Sequence, residues 1–354
     1  MSVLNRKLNL SVYTVIHFIV DLSCIFYLMG MVYVRLGSSA ECVKAAIVYN
    51  LLAFGAPMVL GFFVDLIGKN PAASLLGCMI LLVNYLAIPS PWTSVIILGL
   101  GNGLFHLGGG RQVLKDSDSK YGPSGIFIAA GAMGVFLGRS MAGNYRSVYF
   151  TIMLIILSLS TALLLYFTIR QWKYSEKSLI SRQKTGVRMI IISLMIFAVV
   201  VIRSYYGCIT VYSWNNTFLT GLIFTLCVAA GKFLGGIAAD RIGVMPASVI
   251  SLGGAAILSL WSPLSPVVGC ASILLFNMTM PITLTLIAEQ WKEFPGFAFG
   301  TLMMALFLGT LPTMMFNIRP LSSPAGMTIL CLISLILLAG AVIMKKNSIQ
   351  EETE

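Results

Sequence analysis

The chain has 354 residues, 58% of them hydrophobic and only 10% charged, with a formal net charge of +11 and a mean hydropathy of +0.93. A soluble domain carries roughly 25% charged residues, so this composition excludes an ordinary water-soluble protein. The basic excess gathers at the ends of apolar runs, which argues against nucleic-acid binding.

Apolar runs of about 20 residues, the length a helix needs to cross a bilayer core, recur from end to end. In chain order the predicted spans are 11–34, 43–63, 71–88, 92–112, 123–142 and 148–170, then 189–210, 215–238, 244–261, 264–288, 296–316 and 323–344. The first is too long for the apolar core of a signal peptide and contains His17 and Asp21. Tight hairpins are expected at Pro89–Pro91 and Ser262–Pro266. The domains are therefore a six-helix bundle over 1–170, a basic linker over 171–188, a second six-helix bundle over 189–346 and a tail over 347–354. Pro57, Pro281 and Pro312 fall inside spans, where proline removes a helix hydrogen bond and favours a kink.

Charge orients the spans. With both ends of the chain cytoplasmic, Lys and Arg fall on the inner side except for Arg35, Lys44, Arg139, Arg146 and Arg319, and for Arg203 inside the membrane. This bias obeys the positive-inside rule; an odd number of spans would scramble it.

Gly61-Phe-Phe-Val-Asp65-Leu-Ile-Gly68-Lys69 follows the second span, and Gly236-Ile-Ala-Ala-Asp240-Arg241-Ile-Gly243 follows the eighth. Both read G-x-x-x-D-x-x-G, and each element recurs 175 positions later (236 − 61). The same shift places Asn102 on Asn277. One six-helix unit thus occurs twice, and parallel repeats of this kind bind solutes near mid-membrane where the copies meet.

Ionisable groups inside a bilayer are costly and usually face a cavity or a partner. The chain has two histidines, both within spans. His17 and Asp21 are four residues apart, as are Asn102 and His106, so each pair shares one helix face. At a rise of about 1.5 Å per residue, His17 lies about 9 Å and Asp21 about 15 Å from the cytoplasmic side, with His106 at about 8 Å and Asn102 at about 14 Å. Arg203 lies roughly 21 Å in, too deep to reach either surface. One reading is structural: Asp21 and Arg203 tie the bundles together and His17 bonds a backbone carbonyl. The other is proton binding, in which burial and a movable cation load and release a proton at Asp21 with a histidine relaying it.

The paired loops, twelve spans and central basic linker resemble the major facilitator superfamily over the whole chain. Within it, His17-Phe18-Ile19-Val20-Asp21, Gly101-Asn102-Gly103-Leu104-Phe105-His106, Arg203-Ser204-Tyr205 and the Gly131-x-x-Gly134-x-x-x-Gly138 run resemble the fosmidomycin-resistance type of bacterial efflux protein. Arg139 stands where those proteins often have proline, in an element associated with antiport. The resemblance implies an all-α polytopic fold of twelve transmembrane helices in two bundles, working by alternating access. It places spans one, four and seven around a central cavity, with Arg203 facing Asp21 or an anionic substrate. It also implies that the paired loops hold the cytoplasmic side closed. That assigns gating to Gly61, Asp65, Gly68 and Lys69, and to Gly236, Asp240, Arg241 and Gly243. Leu66 replaces the usual arginine, so the first loop is expected to lock less firmly.

The expected function is secondary transport of a small organic solute by proton-coupled efflux, with uptake by symport as the alternative. The expected binding residues are His17, Asp21, Asn102, His106, Arg203 and Asn277. No nucleotide-binding loop or H-E-x-x-H spacing is present, so no ATP-driven pump, metal or cofactor is expected and the proton gradient is the driving force. A membrane-embedded enzyme leaves the duplication unexplained, and a transporter-like sensor lacks an output domain. The expected setting is a monomer in the lipid bilayer of a bacterial cytoplasmic membrane, with a small molecule as its partner and no nucleic acid.

Overall fold

The computed structural model describes residues 3–67, 70–172, 186–317 and 319–353. The described residues are helical with no strand, and they group into α1 (residues 3–36), α2 (39–67), α3 (Asn70–Ala87), α4 (Pro91–Asp116), α5 (Tyr121–Gly143) and α6 (Ser147–Trp172), then α7 (Val187–Ile209), α8 (Phe218–Ile242), α9 (244–259), α10 (266–290), α11 (Pro295–Phe316) and α12 (Pro324–Thr353). Each predicted span has its helix, and the two tight hairpins fall where expected, after Ala87 and before Pro266.

Among the described residues, nine of these helices are long and apolar enough to cross a membrane, while α3 and α9 are apolar but shorter. The exception is α4, which is long and carries Asn102, His106, Arg111, Gln112 and Lys115. It is buried along most of its length, from Ser94 to Leu114. A helix largely covered by its neighbours, with Ile96 its most exposed apolar residue, has little lipid-facing surface to keep apolar. Elsewhere the pattern is inside-out relative to a soluble protein. Val187, Leu264 and Ile336 are largely exposed, whereas His17, Asp21, Asp65, Asn102 and Arg203 are buried. Such an arrangement suits lipid as the solvent.

Breaks in the helices have local causes. In α2 a π turn over Leu51–Gly55 precedes Pro57, with Ala56 N–H reaching back to Leu51 O at 2.8 Å. In α10, Pro281 has no N–H for Asn277 O, and the helix divides at Met278 between Pro266–Asn277 and Thr279–Gln290. Pro312, by contrast, sits within the continuous α11.

The chain forms two compact units. The first comprises Met1–Asp116, Ala130–Ile180 and Phe294–Met304; the second comprises Ser117–Ala129, Ser181–Glu293 and Ala305–Glu354. The first closes around fully buried aromatic side chains including Tyr13, Phe26, Tyr27, Tyr85 and Phe105. Tyr206 stacking on Phe276 at 3.9 Å anchors the second.

Candidate functional site

In the first unit, α1 and α4 bring the two predicted pairs into one cluster. Helical spacing stacks His17 over Asp21, and His17 Nε2 lies 3.2 Å from Asp21 Oδ2. From α4, Asn102 Nδ2 donates to Asp21 Oδ1 at 3.1 Å, and His106 Nε2 stands 3.5 Å from the same oxygen. The imidazoles meet edge to face at 4.5 Å, with Phe105 and Phe54 packed against them. Residual exposures of 4% for His17, 7% for Asp21 and 6% for His106 show a cluster that is enclosed but not sealed.

The hydrogen-bond directions constrain what occupies it. His106 Nδ1 lies 2.9 Å from Asn102 O. A carbonyl oxygen only accepts, so Nδ1 carries the hydrogen. If His106 is neutral, Nε2 then points a lone pair at a carboxylate oxygen. Two acceptors face each other at 3.5 Å unless a positive species lies between them.

Helix α5 closes the cluster with the predicted glycine run. A β-carbon on Gly134 would lie 3.1 Å from Asp21 Cβ, and one on Gly138 would lie 2.6 Å from Leu22 O. Close approach of α5 to α1 therefore requires small residues at these positions, as at helix contacts in membranes generally. Arg139, beside this face, is exposed.

The cluster belongs to one copy of the repeat only. Moving His17, Asp21 and His106 by 175 positions gives Ile192, Ile196 and Pro281, all buried and apolar. Arg203, conversely, corresponds to Leu28. In the second unit, Arg203 is 7% exposed and its Nη1 donates to Thr283 Oγ1 at 3.2 Å. No carboxylate lies within ion-pair distance of it among the described residues. A guanidinium with five N–H donors and one hydroxyl partner is a ready acceptor of an anion. Asn277 turns back on its own helix, Nδ2 donating to Ile273 O at 2.8 Å. No hydrogen bond joins it to Arg203 among the described residues.

The two loop aspartates behave as mirror images of one design. Asp65 accepts from Gly296 N–H at 3.0 Å and Phe297 N–H at 2.8 Å, the first turn of α11. Asp240 accepts from Tyr121 N–H and Gly122 N–H, both at 2.8 Å, the first turn of α5. These donors are again 175 positions apart, and a carboxylate on free N–H groups at a helix start is a favourable pairing. Gly61 and Gly236 permit the approach: a β-carbon on Gly61 would lie 2.6 Å from Gly296 C, and one on Gly236 2.5 Å from Tyr121 O. Gly243, with φ +90°, ends α8 in a conformation reserved for glycine, and Arg241 beside it is exposed. Gly68 and Lys69 lie outside the described residues.

Counting donors reverses the expected difference between the loops. Asp65 is 2% exposed and also pairs with Arg111 Nε, whereas Asp240 is exposed and has no arginine partner among the described residues. Arg111 corresponds to Leu286 in the second copy. The arginine absent at position 66 is replaced by one from another helix. The positive-inside pattern alone makes Arg111 an inner-side charge, and its place directly after Gly108–Gly110 of α4 carries no signal for a buried pair.

No family model matches the chain, and no curated protein matches its sequence. Solved structures do match its fold. The human organic anion transporter MFSD10 (TETRAN) superposes with a TM-score of 0.71 at 14% identity, covering 96% of this chain and 100% of that one. A variant of the E. coli fucose:proton symporter FucP gives 0.63 at 12% identity, covering 96% and 99%. FucP in the outward conformation gives 0.61 at 11% identity, covering 94% and 99%. The chain is a polytopic α-helical protein with the major facilitator fold.

Proposed function

We propose that the chain is a secondary transporter that moves a small organic solute across the membrane by alternating access, coupled to protons. Full-length likeness to an organic anion transporter and a fucose:proton symporter supports the class. The observation that carries the coupling is the acceptor–acceptor approach of His106 Nε2 and Asp21 Oδ1, at 3.5 Å in a largely buried cluster. A proton is the smallest species that relieves it, turning His106 into a cation paired with Asp21. Loss of that proton to the other side of the membrane returns the repulsion and favours a rearranged cluster.

Arg203, buried beside a single hydroxyl, supports an anionic group on the solute. Efflux is the preferred direction, supported by the resemblance to fosmidomycin-resistance-type proteins in the segments around His17, Asn102, Gly131 and Arg203. Arg139, in place of the proline of the antiport element, favours uptake by symport as the second reading. The loop aspartates fit gates: each holds a helix start by bonds to backbone N–H groups, Asp240 by these alone and Asp65 with the Arg111 pair in addition.

Reconstitution in pH-clamped vesicles tests the proposal. The wild-type protein is expected to drive net solute flux with a proton gradient, and Asp21→Asn to lose gradient-driven flux while still exchanging solute. Undiminished gradient-driven flux in Asp21→Asn removes Asp21 from the mechanism. Ligand binding without net flux would make the protein a sensor instead.

A further inference from the structure

His17, Asp21 and His106 each offer one ligand atom, and these atoms all lie within 4.8 Å of one another. We propose that these three side chains form a binding site for a first-row transition-metal dication of the zinc class, with Asn102 able to supply a fourth, oxygen ligand. The proposal concerns side chains used above but does not depend on proton coupling or on transport.

The donor set is the first argument. Two imidazoles and a carboxylate suit zinc and its neighbours, whereas magnesium and calcium take oxygen. Spacing is the second. Zinc bonds of about 2.0–2.1 Å in a tetrahedron set adjacent ligand atoms about 3.3 Å apart. His17 Nε2 lies 3.2 Å from Asp21 Oδ2 and His106 Nε2 3.5 Å from Asp21 Oδ1, and one atom from each residue falls within 4.8 Å of the others, so side-chain rotations that draw these atoms together around an ion complete the site.

The surroundings supply the third argument. Metal-bound histidine usually gives its other ring N–H to a carbonyl or carboxylate, which fixes the tautomer and aims the lone pair. His106 already does so, with Nδ1 bonded to Asn102 O at 2.9 Å and Nε2 facing the cluster. Fourth, Asn102 is fully buried, and its Oδ1 has no hydrogen-bond partner while its Nδ2 bonds Asp21. Rotating the amide by half a turn exchanges the two atoms and turns that unpartnered oxygen toward the site. An unused buried acceptor costs free energy, and a cation next to Asp21 would relieve it. The sequence holds no metal-ligand spacing because the ligands come from α1 and α4, 85 positions apart (106 − 21).

The chain's two histidines make the test selective, since every imidazole ligand must come from this site. Full-length protein, with any affinity tag removed, is titrated with Zn²⁺ and Co²⁺ in detergent. The expected result is one ion per chain, with two-imidazole scattering in X-ray absorption and the intense visible bands of four-coordinate cobalt. Losing an outer-shell partner alone costs 10–100-fold in metal affinity. His17→Gln and His106→Gln are therefore expected to weaken zinc at least ~100-fold, and the milder Asn102→Ala about 10-fold. Should a histidine variant fail to fold, Asn102→Ala and the zinc-dependent rise in melting temperature of the wild-type protein carry the test. No retained zinc, scattering dominated by cysteine sulfur, or unchanged affinity in these variants would overturn the site. Solute flux in the presence of chelator separates the readings: flux without metal binding sinks the site alone, and metal binding without flux sinks the transport proposal alone.

Discussion

A β-carbon added at Gly131 would stand 2.5 Å from both Asp21 Oδ2 and His17 Nε2. One or both side chains must shift to admit it, so Gly131→Ala is expected to act on the cluster from a helix that contributes no side chain to it. The predicted outcome is at least a tenfold loss of gradient-driven flux with near-normal helix content by circular dichroism. Normal flux would show that the cluster's geometry does not matter to transport. At this scale much of the site was legible beforehand. Spacing of four residues put His17 on Asp21 and Asn102 on His106, and membrane depth matched the two pairs. Hydrogen-bond direction was not legible: no sequence pattern announces that His106 Nδ1 is committed to Asn102 O, leaving Nε2 facing a carboxylate. Asn277 shows the converse, since repeat symmetry nominated it through Asn102 although its amide is spent on its own helix.

Helix ends carry the next level of organisation, and the two loop aspartates give an internal comparison. Asp65→Asn keeps an acceptor for α11 but strips the charge that Arg111 pairs with in a buried setting, where Arg111 Nη1 already lacks a partner. Breaking a buried ion pair costs about 3–5 kcal/mol. Asp240→Asn is exposed and loses only a charge near a helix start, worth about 0.3–1 kcal/mol. Thermal unfolding in detergent is therefore expected to show a much larger fall in melting temperature for Asp65→Asn than for Asp240→Asn. Equal falls would mean that Arg111 contributes nothing to the first loop. The motif spacing made the aspartates visible, but their partners are the first turns of helices more than 100 residues away in each case. Arg111 was hidden for a related reason. Positive charge near a span end satisfies the topology rule whether it faces lipid headgroups or a buried carboxylate.

Across the whole chain, a duplicated architecture holds two unlike polar centres. The 175-residue shift preserves the aspartate loops and the helix starts they grip, yet it replaces His17, Asp21 and His106 by Ile192, Ile196 and Pro281, and Arg203 by Leu28. The repeat thus supplies the framework, and the residues in which the copies differ place the acid–imidazole cluster in one unit and the guanidinium in the other. The repeat was readable because both copies need glycine for a close approach and aspartate for a helix start, while the membrane-facing surfaces need only remain apolar. An even number of spans follows from copying six, and it fixes a topology that can be measured. Cytoplasmic reporters fused after Ser178 or at the chain end are expected to be active. Periplasmic reporters are expected to be active after Ser90, between α3 and α4, and after Ser265, between α9 and α10. The assignment of α4 is most exposed to this test, because α4 is the long helix whose composition falls short of an ordinary membrane span. If α4 did not cross, every later span would be inverted. The Ser178 fusion would then report the opposite face, and His106 would no longer descend to the depth of Asp21.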